Sequence, residues 1–419
     1  MAAGYLEILR ARHAARLLTG TLVGRLPNAT AALAIVLFVR AEGGTYSLAG
    51  VLAAVYGVAN AVGQPVLGRL VDLCGQPRVQ LPAALASAVA MAVFAFAGTG
   101  SLSVACAAVA AAGLCTPPLE GGLRALWPSV LGEGERVHTA YAMDAVAQEV
   151  MFTVGPLLVT LCVSLWSAQA ALLVVNVVGV LGALSVVVSA PSRAWRSAPR
   201  EAHWLGALRS PGLLALLAAF LFVGVAMGSI TVASVPYADG HGGDAVYGWM
   251  MAGLGLGALL GGSAYGARRW VGEPARRLRV LVGLLAVCYL PLMLMPDALA
   301  MVLLTVLAGV FLAPSIACAF VLVDRHAPSG TVTEAFSWLV TTFTVGASVG
   351  TGLAGPVVEA GGAVWGFAVP GAAGGVSLLV LAVTGRVLAA PGGGAVVAAG
   401  SENDPNRAVE PRFSSGDRA

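Results

Sequence analysis

Residues 68–78 read GRLVDLCGQPR and form a short charged stretch between two long apolar runs. The two glycines within it permit a sharp reversal of the chain, because glycine adopts backbone conformations that other residues avoid. Asp72, Arg69 and Arg78 then lie where apolar segments end. Charges at a membrane surface are costly unless they are paired or hydrated. The stretch therefore predicts a tight turn between two membrane spans.

The composition excludes a soluble protein. Hydrophobic residues make up 58% of the 419 residues and charged residues only 10%, and the mean hydropathy is +0.87. Soluble domains carry about 25% charged residues, so this chain lacks the polar surface that water requires. A lipid bilayer is its expected environment, with one spanning helix for roughly every 20 apolar residues.

The apolar runs predict twelve membrane spans. Their expected ranges are 17–39, 47–71, 79–99, 102–125, 139–163, 168–190, 211–236, 246–267, 278–296, 298–323, 332–358 and 363–388. All 23 basic residues are arginine, and all but Arg25 and Arg40 fall in alternate loops or in the two terminal segments. Cytoplasmic loops carry the excess of basic residues. We therefore expect a multi-pass protein of the cytoplasmic membrane with both termini in the cytoplasm.

The two halves of the chain repeat each other. A shift of 198 residues places four glycines of span 2 on glycines of span 8, namely Gly50, Gly57, Gly63 and Gly68 on Gly248, Gly255, Gly261 and Gly266. Residues 152–155 (FTVG) also recur at 343–346. Coincidence in a glycine-rich chain is the alternative to duplication. The predicted organisation is a six-helix bundle over 1–190, a cytoplasmic linker over 191–210, a second bundle over 211–390 and a disordered cytoplasmic tail over 391–419.

The turn also resembles the signature loop between helices 2 and 3 of the major facilitator superfamily, which runs G-x-L-x-D-x-x-G followed by two basic residues. Gly68, Leu70, Asp72 and Gly75 match, whereas Gln76-Pro77 replaces the basic pair and Arg78 follows it. With twelve spans and duplicated halves, the chain resembles this superfamily over about residues 5–390. The resemblance implies an all-α polytopic fold of two pseudo-symmetric six-helix bundles, which rock around a central cavity during secondary active transport.

Two charged residues lie deep inside predicted spans. Arg25 stands about eight residues into span 1 and Glu149 about ten residues into span 5, which corresponds to roughly 12 and 15 Å at 1.5 Å per residue. Intramembrane charges need a partner, a hydrated cavity or a functional reason. We expect Arg25 and Glu149 to pair beside the cavity, with Glu149 exchanging a proton. A purely structural pair is the alternative.

A second group of residues is expected at the cytoplasmic face. Arg124 is spaced to pair with Glu120 along one helix, and Asp72, Arg124 and Asp144 are expected to cluster. The resemblance implies that Asp72 latches the bundles together by binding the first turn of span 11, where Glu334 is a competitor for the same amides. The predicted latch comprises Gly68, Asp72, Gly75, Arg78, Arg124 and Asp144. Surface charges solvated among the lipid headgroups are the alternative.

Spans 5 and 11 contain small residues that allow close helix packing. The predicted packing residues are Gly155, Pro156, Gly346 and Gly350. Exporters of the superfamily carry a G-P-x-x-G-G element in helix 5, of which only Gly155 and Pro156 match. They also usually carry an arginine within helix 4, and span 4 has none before Arg124. Tight packing alone is therefore an equal alternative to an export signature.

The cavity is expected to be sparsely polar. Its candidate residues are Asn28, Met227, Thr231 and Ser315, although serine and threonine in membrane helices often bond only their own backbone. Such a cavity favours an amphipathic or largely apolar solute. The leading prediction is proton-coupled efflux of a small organic molecule, driven by an ion gradient without a cofactor. Uptake symport of a sugar or metabolite is the alternative.

A membrane enzyme or a sensor that does not transport is the alternative from another class. The sequence contains no HExxH, no phosphate-binding loop and no GxSxG, and its six cysteines form no CxxC pair. Catalysis, metal binding and nucleotide binding therefore have little support. The expected partners are the lipid bilayer and a small-molecule substrate, without nucleic acid or nucleotide, and a monomer is the expected functional unit.

Overall fold

The computed structural model describes residues 2–132, 134–199, 204–268, 270 and 272–389. Within these residues the chain is helical and contains no β-strand, so the predicted all-α fold is confirmed. The α-helices in chain order are α1 Ala2–Arg10, α2 Ala14–Ala41, α3 Tyr46–Cys74, α4 Gln76–Ala97, α5 Leu102–Leu114, α6 Leu119–Leu131, α7 Glu135–Leu165, α8 Ala168–Val187, α9 Ala190–Ala194, α10 Pro211–Asp239, α11 Asp244–Gly266, α12 Pro274–Tyr289, α13 Ala298–Gly309, α14 Leu312–His326, α15 Val332–Val383 and α16 Gly385–Ala389.

The predicted spans all have helical counterparts. Eleven continuous segments of the described chain are long and apolar enough to cross a membrane, and the longest is α15. Its 52 residues break at Gly362, where φ is 76° and ψ is −178°. This positive φ favours glycine over residues with a Cβ. The break separates the predicted spans 11 and 12, so the chain crosses the bilayer as a multi-pass membrane protein.

The predicted linker contains little regular structure. It includes most of α9 and a 3-10 turn at Gly206–Arg209, and residues 200–203 lie outside the described part of the chain. The predicted disordered tail, 391–419, also lies outside the described residues. The division into bundles 1–190 and 211–390 remains a prediction.

One pair of the repeated glycines makes equivalent contacts in the two parts of the chain. A Cβ at Gly63 of α3 would fall on the backbone carbonyl of Leu114 at the end of α5. A Cβ at Gly261, which lies 198 residues later in α11, would fall on the carbonyl of Val310, next to α13. Equivalent helices therefore approach each other closely in both parts of the chain, and only glycine permits this approach.

The helix pair α10 and α15 is built in the same way. A Cβ at Gly346 would fall on the carbonyl of Leu221, and one at Gly350 would fall on the carbonyl of Val225. Gly155, by contrast, faces Thr30 of α2, where a Cβ would lie 2.9 Å from the threonine methyl group. The glycine expected to pack span 5 thus contacts span 1, and those expected to pack span 11 contact span 7.

Many of the loops that carry arginine lie at one end of the bundle. At this end Ser192, at the start of the linker, donates to Gln76 at the α3–α4 turn over 2.9 Å. His326 at the end of α14 lies 3.0 Å from the carbonyl of Leu388 in α16. We call this the arginine-rich end.

The α10–α15 contact gives a prediction with a built-in control. Gly350→Ala places a methyl group on the Val225 carbonyl and should destabilise the protein by about 1–3 kcal/mol, the usual cost of overpacking. Gly352→Ala, on the exposed face of the same helix with open space around it, should be neutral or slightly stabilising. Thermal unfolding followed by size-exclusion chromatography measures both. Equal midpoints for the two variants would contradict the proposed packing.

Candidate functional site

Arg124 of α6 is fully buried and is held by oxygen atoms on two helices. Its Nε donates to Asp144 Oδ2 of α7 over 2.7 Å. Its Nη2 donates to Gln148 Oε1 over 3.2 Å and to Glu120 Oε2 over 3.4 Å. The guanidinium carbon also lies 3.7 Å from the ring centroid of Phe320 in α14. A buried cation is tolerated only with such compensation.

Arg25 of α2 joins the same group of side chains. Its Nη2 lies 2.8 Å from Glu120 Oε1, and its Nη1 lies 3.3 Å from Asp144 Oδ1. Each carboxylate thus contacts both guanidiniums, and the two positive charges balance the two negative ones. We call Arg25, Glu120, Arg124, Asp144 and Gln148 the charge cluster.

The predicted ion pair between Arg25 and Glu149 is not the one that the structure forms. Asp144 and Gln148 are four residues apart and share one face of α7, whereas Glu149 is rotated by about 100° from Gln148 around the helix. Arg25 reaches the Asp144–Gln148 face. The Glu149 carboxyl lies near enough to Tyr289 of α12 for an electrostatic interaction.

Asp72 caps the first turn of α15. Its two carboxylate oxygens accept hydrogen bonds from the amides of Thr333, over 3.1 Å, and Glu334, over 2.9 Å. The free amides and the dipole at a helix N-terminus favour an anion at this position. Glu334 does not displace Asp72, and its own carboxylate lies against Gly206. Asp72 thereby joins α3 to α15.

The predicted cluster of Asp72 with Arg124 and Asp144 is divided in two. Arg124 and Asp144 belong to the charge cluster, whereas Asp72 binds the α15 amides. Close approach of the backbones supports the Asp72 contact. A Cβ at Gly68 would lie 2.6 Å from Ser337 Oγ, and one at Gly121 would lie 2.9 Å from the carbonyl of Thr333.

The residues that depart from the family pattern stabilise the turn differently. Gly75 has a φ of 86°, and Pro77 lies in the first turn of α4. Gln76 is fully buried, donates to the carbonyl of Gly122 over 2.9 Å and accepts from Ser192 over 2.9 Å. Arg78 is exposed. A buried amide therefore connects α4, α6 and α9 where the family usually has a surface cation.

A cavity of about 340 Å³ adjoins the charge cluster. One wall comes from α2, α3, α6 and α7, and its polar residues are Arg25, Asn28, Tyr56, Asn60, Glu120 and Gln148. The opposite wall comes from α10, α14 and α15, and it is mainly apolar, with Phe220, Ile316, Phe320, Leu339 and Phe343. The cavity therefore offers hydrogen bonds and charge on one side and hydrocarbon on the other.

Of the predicted cavity residues, the structure places one on the cavity wall. Asn28 lines it and accepts a hydrogen bond from Asn60 over 3.0 Å. Thr231 and Ser315 donate to carbonyls of their own helices, and Met227 accepts from the Tyr289 hydroxyl over 3.5 Å. Asn60 also lines the cavity and was not among the predicted residues, although an amide within an apolar span is itself a signal.

The cavity is closed toward the arginine-rich end. The Asp72 cap lies between the cavity and this end. So does a hydrogen bond from Thr341 of α15 to the Ala61 carbonyl of α3 over 3.4 Å. On the other side of the bundle, Gly262 of α11 packs against Val146 of α7, where a Cβ would lie 2.5 Å from the valine methyl group. The structure is thus in a conformation sealed at this end.

The sequence model of the Major Facilitator Superfamily matches residues 17–351. This chain belongs to that superfamily. No relative among the curated proteins matches its sequence. Membership of the Major Facilitator Superfamily, together with the fold, identifies the protein as a secondary transporter of a small molecule and not an enzyme, as the sequence predicted.

Solved structures of superfamily transporters have the same fold. A bacterial homologue of the iron transporter ferroportin, in an outward-facing state, aligns with a TM-score of 0.70 at 16% identity, covering 90% of this chain and 100% of that one. The human organic anion transporter MFSD10 (TETRAN) aligns with a TM-score of 0.67 at 18% identity, covering 88% of this chain and 98% of that one. The E. coli fucose:proton symporter FucP aligns with a TM-score of 0.66 at 15% identity, covering 88% of this chain and 97% of that one.

We expect the Asp72 cap to stabilise the conformation closed at the arginine-rich end. Asp72→Asn removes the charge that interacts with the α15 dipole, and we expect the population open at this end to rise about fivefold or more, as for a loss of about 1 kcal/mol. Electron–electron distance measurements between spin labels at Arg78→Cys and Arg386→Cys, in a background without native cysteines, report this population.

Asp297→Asn is the matched control for that experiment. Asp297 caps α13 through the amides of Leu299 and Ala300, over 3.1 Å each, so the same chemistry is lost away from the α3–α15 contact. Asp297→Asn should lower thermal stability without changing the label distances. Unchanged distances in Asp72→Asn would show that its cap does not control closure.

Proposed function

We propose that this transporter carries a small amphipathic organic solute by alternating access, in exchange for protons, and that the net direction is export. The two-sided cavity is the observation that carries the proposal. A solute with one polar group and an apolar body satisfies both walls, since the polar group meets the wall with Arg25, Asn28 and Asn60. The apolar body displaces water from the phenylalanine side, which is favourable.

Glu120 is the carboxylate that best fits proton coupling. It lines the cavity, its side chain is 13% exposed, and it contacts both arginines of the charge cluster. Neutralising Glu120 would leave the cluster with surplus positive charge and would weaken its hold on Arg25. Proton binding at Glu120 would therefore change how strongly Arg25 can bind a solute. Glu149, the carboxyl expected from the sequence, remains the second candidate.

We further propose that the arginine-rich end faces the cytoplasm. The positive-inside rule supports this orientation, and it places both termini in the cytoplasm and the protein in the cytoplasmic membrane. The conformation described above is then outward-facing. One chain contributes both cavity walls, which supports a monomer as the transporting unit.

Export is supported by the Gly155-Pro156 element and by the apolar second wall. Uptake symport of a sugar or metabolite is the alternative, and it is supported by the amides of Asn28 and Asn60 beside Arg25, which suit a solute with several hydroxyl groups. The two functions differ in the direction of flux relative to the proton gradient.

Transport in proteoliposomes separates these functions. The labelled solutes are an aromatic carboxylate, an aromatic amine and a monosaccharide, each tested with the proton gradient imposed in either direction. Exchange predicts that solute moves against the proton flux and that an amphipathic solute is preferred. Movement of the monosaccharide together with protons would establish the symport alternative. Absence of any gradient-driven flux would contradict proton coupling.

A pair of variants tests the coupling residue. Glu120→Gln keeps the size of the side chain but cannot be ionised, so we expect proton-driven transport to be lost while exchange of solute for solute persists. Glu149→Gln, on the neighbouring helix α7 and outside the charge cluster, is the matched control. If Glu149→Gln alone abolishes the proton dependence, the coupling role belongs to Glu149.

A further inference from the structure

A second pocket, of about 470 Å³, opens at the arginine-rich end and is separate from the transport cavity. It is formed by α1 and α7 from the N-terminal part of the chain and by α11, α12 and the loop between them from the C-terminal part. Tyr5 of α1 connects these two parts of the chain, because its hydroxyl donates to the carbonyl of Gly262 in α11 over 3.0 Å. The pocket therefore exists only while these parts are in contact.

Two cations of the pocket share one aromatic ring. The guanidinium carbons of Arg268 and Arg277 lie 5.3 and 5.2 Å from the ring centroid of Trp270. Trp270 stacks on Tyr265 with 4.9 Å between the ring centroids. Within the described ranges neither arginine forms a salt bridge, and Arg277 donates only to the hydroxyl of Tyr265 and the carbonyl of Gly272. Two like charges are thus held near each other on a rigid aromatic surface.

The facing side of the pocket adds further positive charge. Arg136 of α7 lies 3.4 Å from Glu7 of α1, but both side chains are about half exposed or more, at 49% and 66%, so their mutual attraction is weak. His138 also lines the pocket and adds no fixed charge to it. Glu135 is the other carboxylate of the pocket. Three guanidiniums therefore face two carboxylates.

The sequence repeat explains how this surplus of charge arises. Trp270 occupies the position that corresponds to Asp72 under the 198-residue shift. In the first half Asp72 binds the N-terminus of α15, whereas the second half has no carboxylate at this position and carries Arg268 and Arg277 where the first half has Leu70 and Val79. The repeated loop thus presents cations without the anion of its counterpart, in a pocket large enough for a small ligand.

We propose that this pocket binds a phosphate group, presented by a phospholipid headgroup or by a soluble phosphate. Guanidiniums donate paired hydrogen bonds to phosphate oxygens and remain charged at all physiological pH values. Arg268 and Arg277 bind the phosphate from the C-terminal side, and Arg136 binds it from the N-terminal side. Because both sides contribute, the bound anion stabilises the conformation closed at the arginine-rich end.

Binding to the full-length protein tests the proposal without any transport assay. In one arm, nanodiscs contain phosphatidic acid, with phosphatidylcholine alone as the reference, and native mass spectrometry counts the retained lipids. In the other arm, inorganic phosphate and glycerol 3-phosphate are titrated onto protein in phosphatidylcholine nanodiscs, and thermal unfolding is followed. Retention in the first arm alone identifies a lipid headgroup, whereas stabilisation in the second arm identifies a soluble phosphate.

The double variant Arg268→Gln/Arg277→Gln should bind phosphate about tenfold or more weakly, as expected when charged hydrogen bonds to the ligand are lost. The control Arg193→Gln/Arg386→Gln removes two exposed arginines of the same end that lie outside the pocket, and it should bind like the parent protein. Arg268→Gln alone serves if the double variant does not fold, because the exposed Arg268 side chain makes no hydrogen bond within the described residues.

The label pair at Arg78→Cys and Arg386→Cys gives an independent readout. Added phosphatidic acid or phosphate should increase the population closed at the arginine-rich end, and the increase should disappear in the Arg268→Gln/Arg277→Gln background. Equal binding by this double variant and the control double variant, or no binding in either arm, would overturn the proposal.

Discussion

The buried guanidinium of Arg124 is the charge on which the interior of this protein depends. A cation in the low dielectric of a membrane protein is tolerated only when anions and polarizable groups surround it. Asp144, Glu120 and Gln148 supply the oxygens, and Phe320 supplies an aromatic face. Arg25 then balances the second carboxylate. These contacts join α2, α6, α7 and α14, and so they connect the early and late parts of the chain beside the cavity.

Closure at one end rests on a different balance of forces. A single carboxylate, Asp72, satisfies two amides at the start of α15, while glycines let α3 and α6 approach that helix closely. Each such contact contributes little free energy by itself, in keeping with a transporter whose halves must separate in every cycle. The charge cluster, by contrast, has a large penalty for losing any one member.

The spans, their number and the superfamily were accessible from the sequence, because hydropathy and arginine placement depend on the bilayer and not on the details of packing. The partners of Arg25 were not accessible. Depth along a helix suggested Glu149, but the rotation of α7 about its axis decides which side chains face α2, and it favours Asp144 and Gln148. The aromatic wall was missed for the same reason, since Phe220 and Phe343 look like ordinary lipid-facing residues until the helices are assembled.

Substitutions on the two walls of the cavity have different consequences for this protein. The charged wall belongs to helices whose side chains constrain one another, so substitutions there disturb several partners at once. Phe220, Ile316 and Phe343 on the other wall are apolar side chains whose exchange for other apolar residues alters shape without unbalancing charge. Selectivity for different solutes can therefore diverge through one wall, while the ionic machinery of the other wall is inherited unchanged.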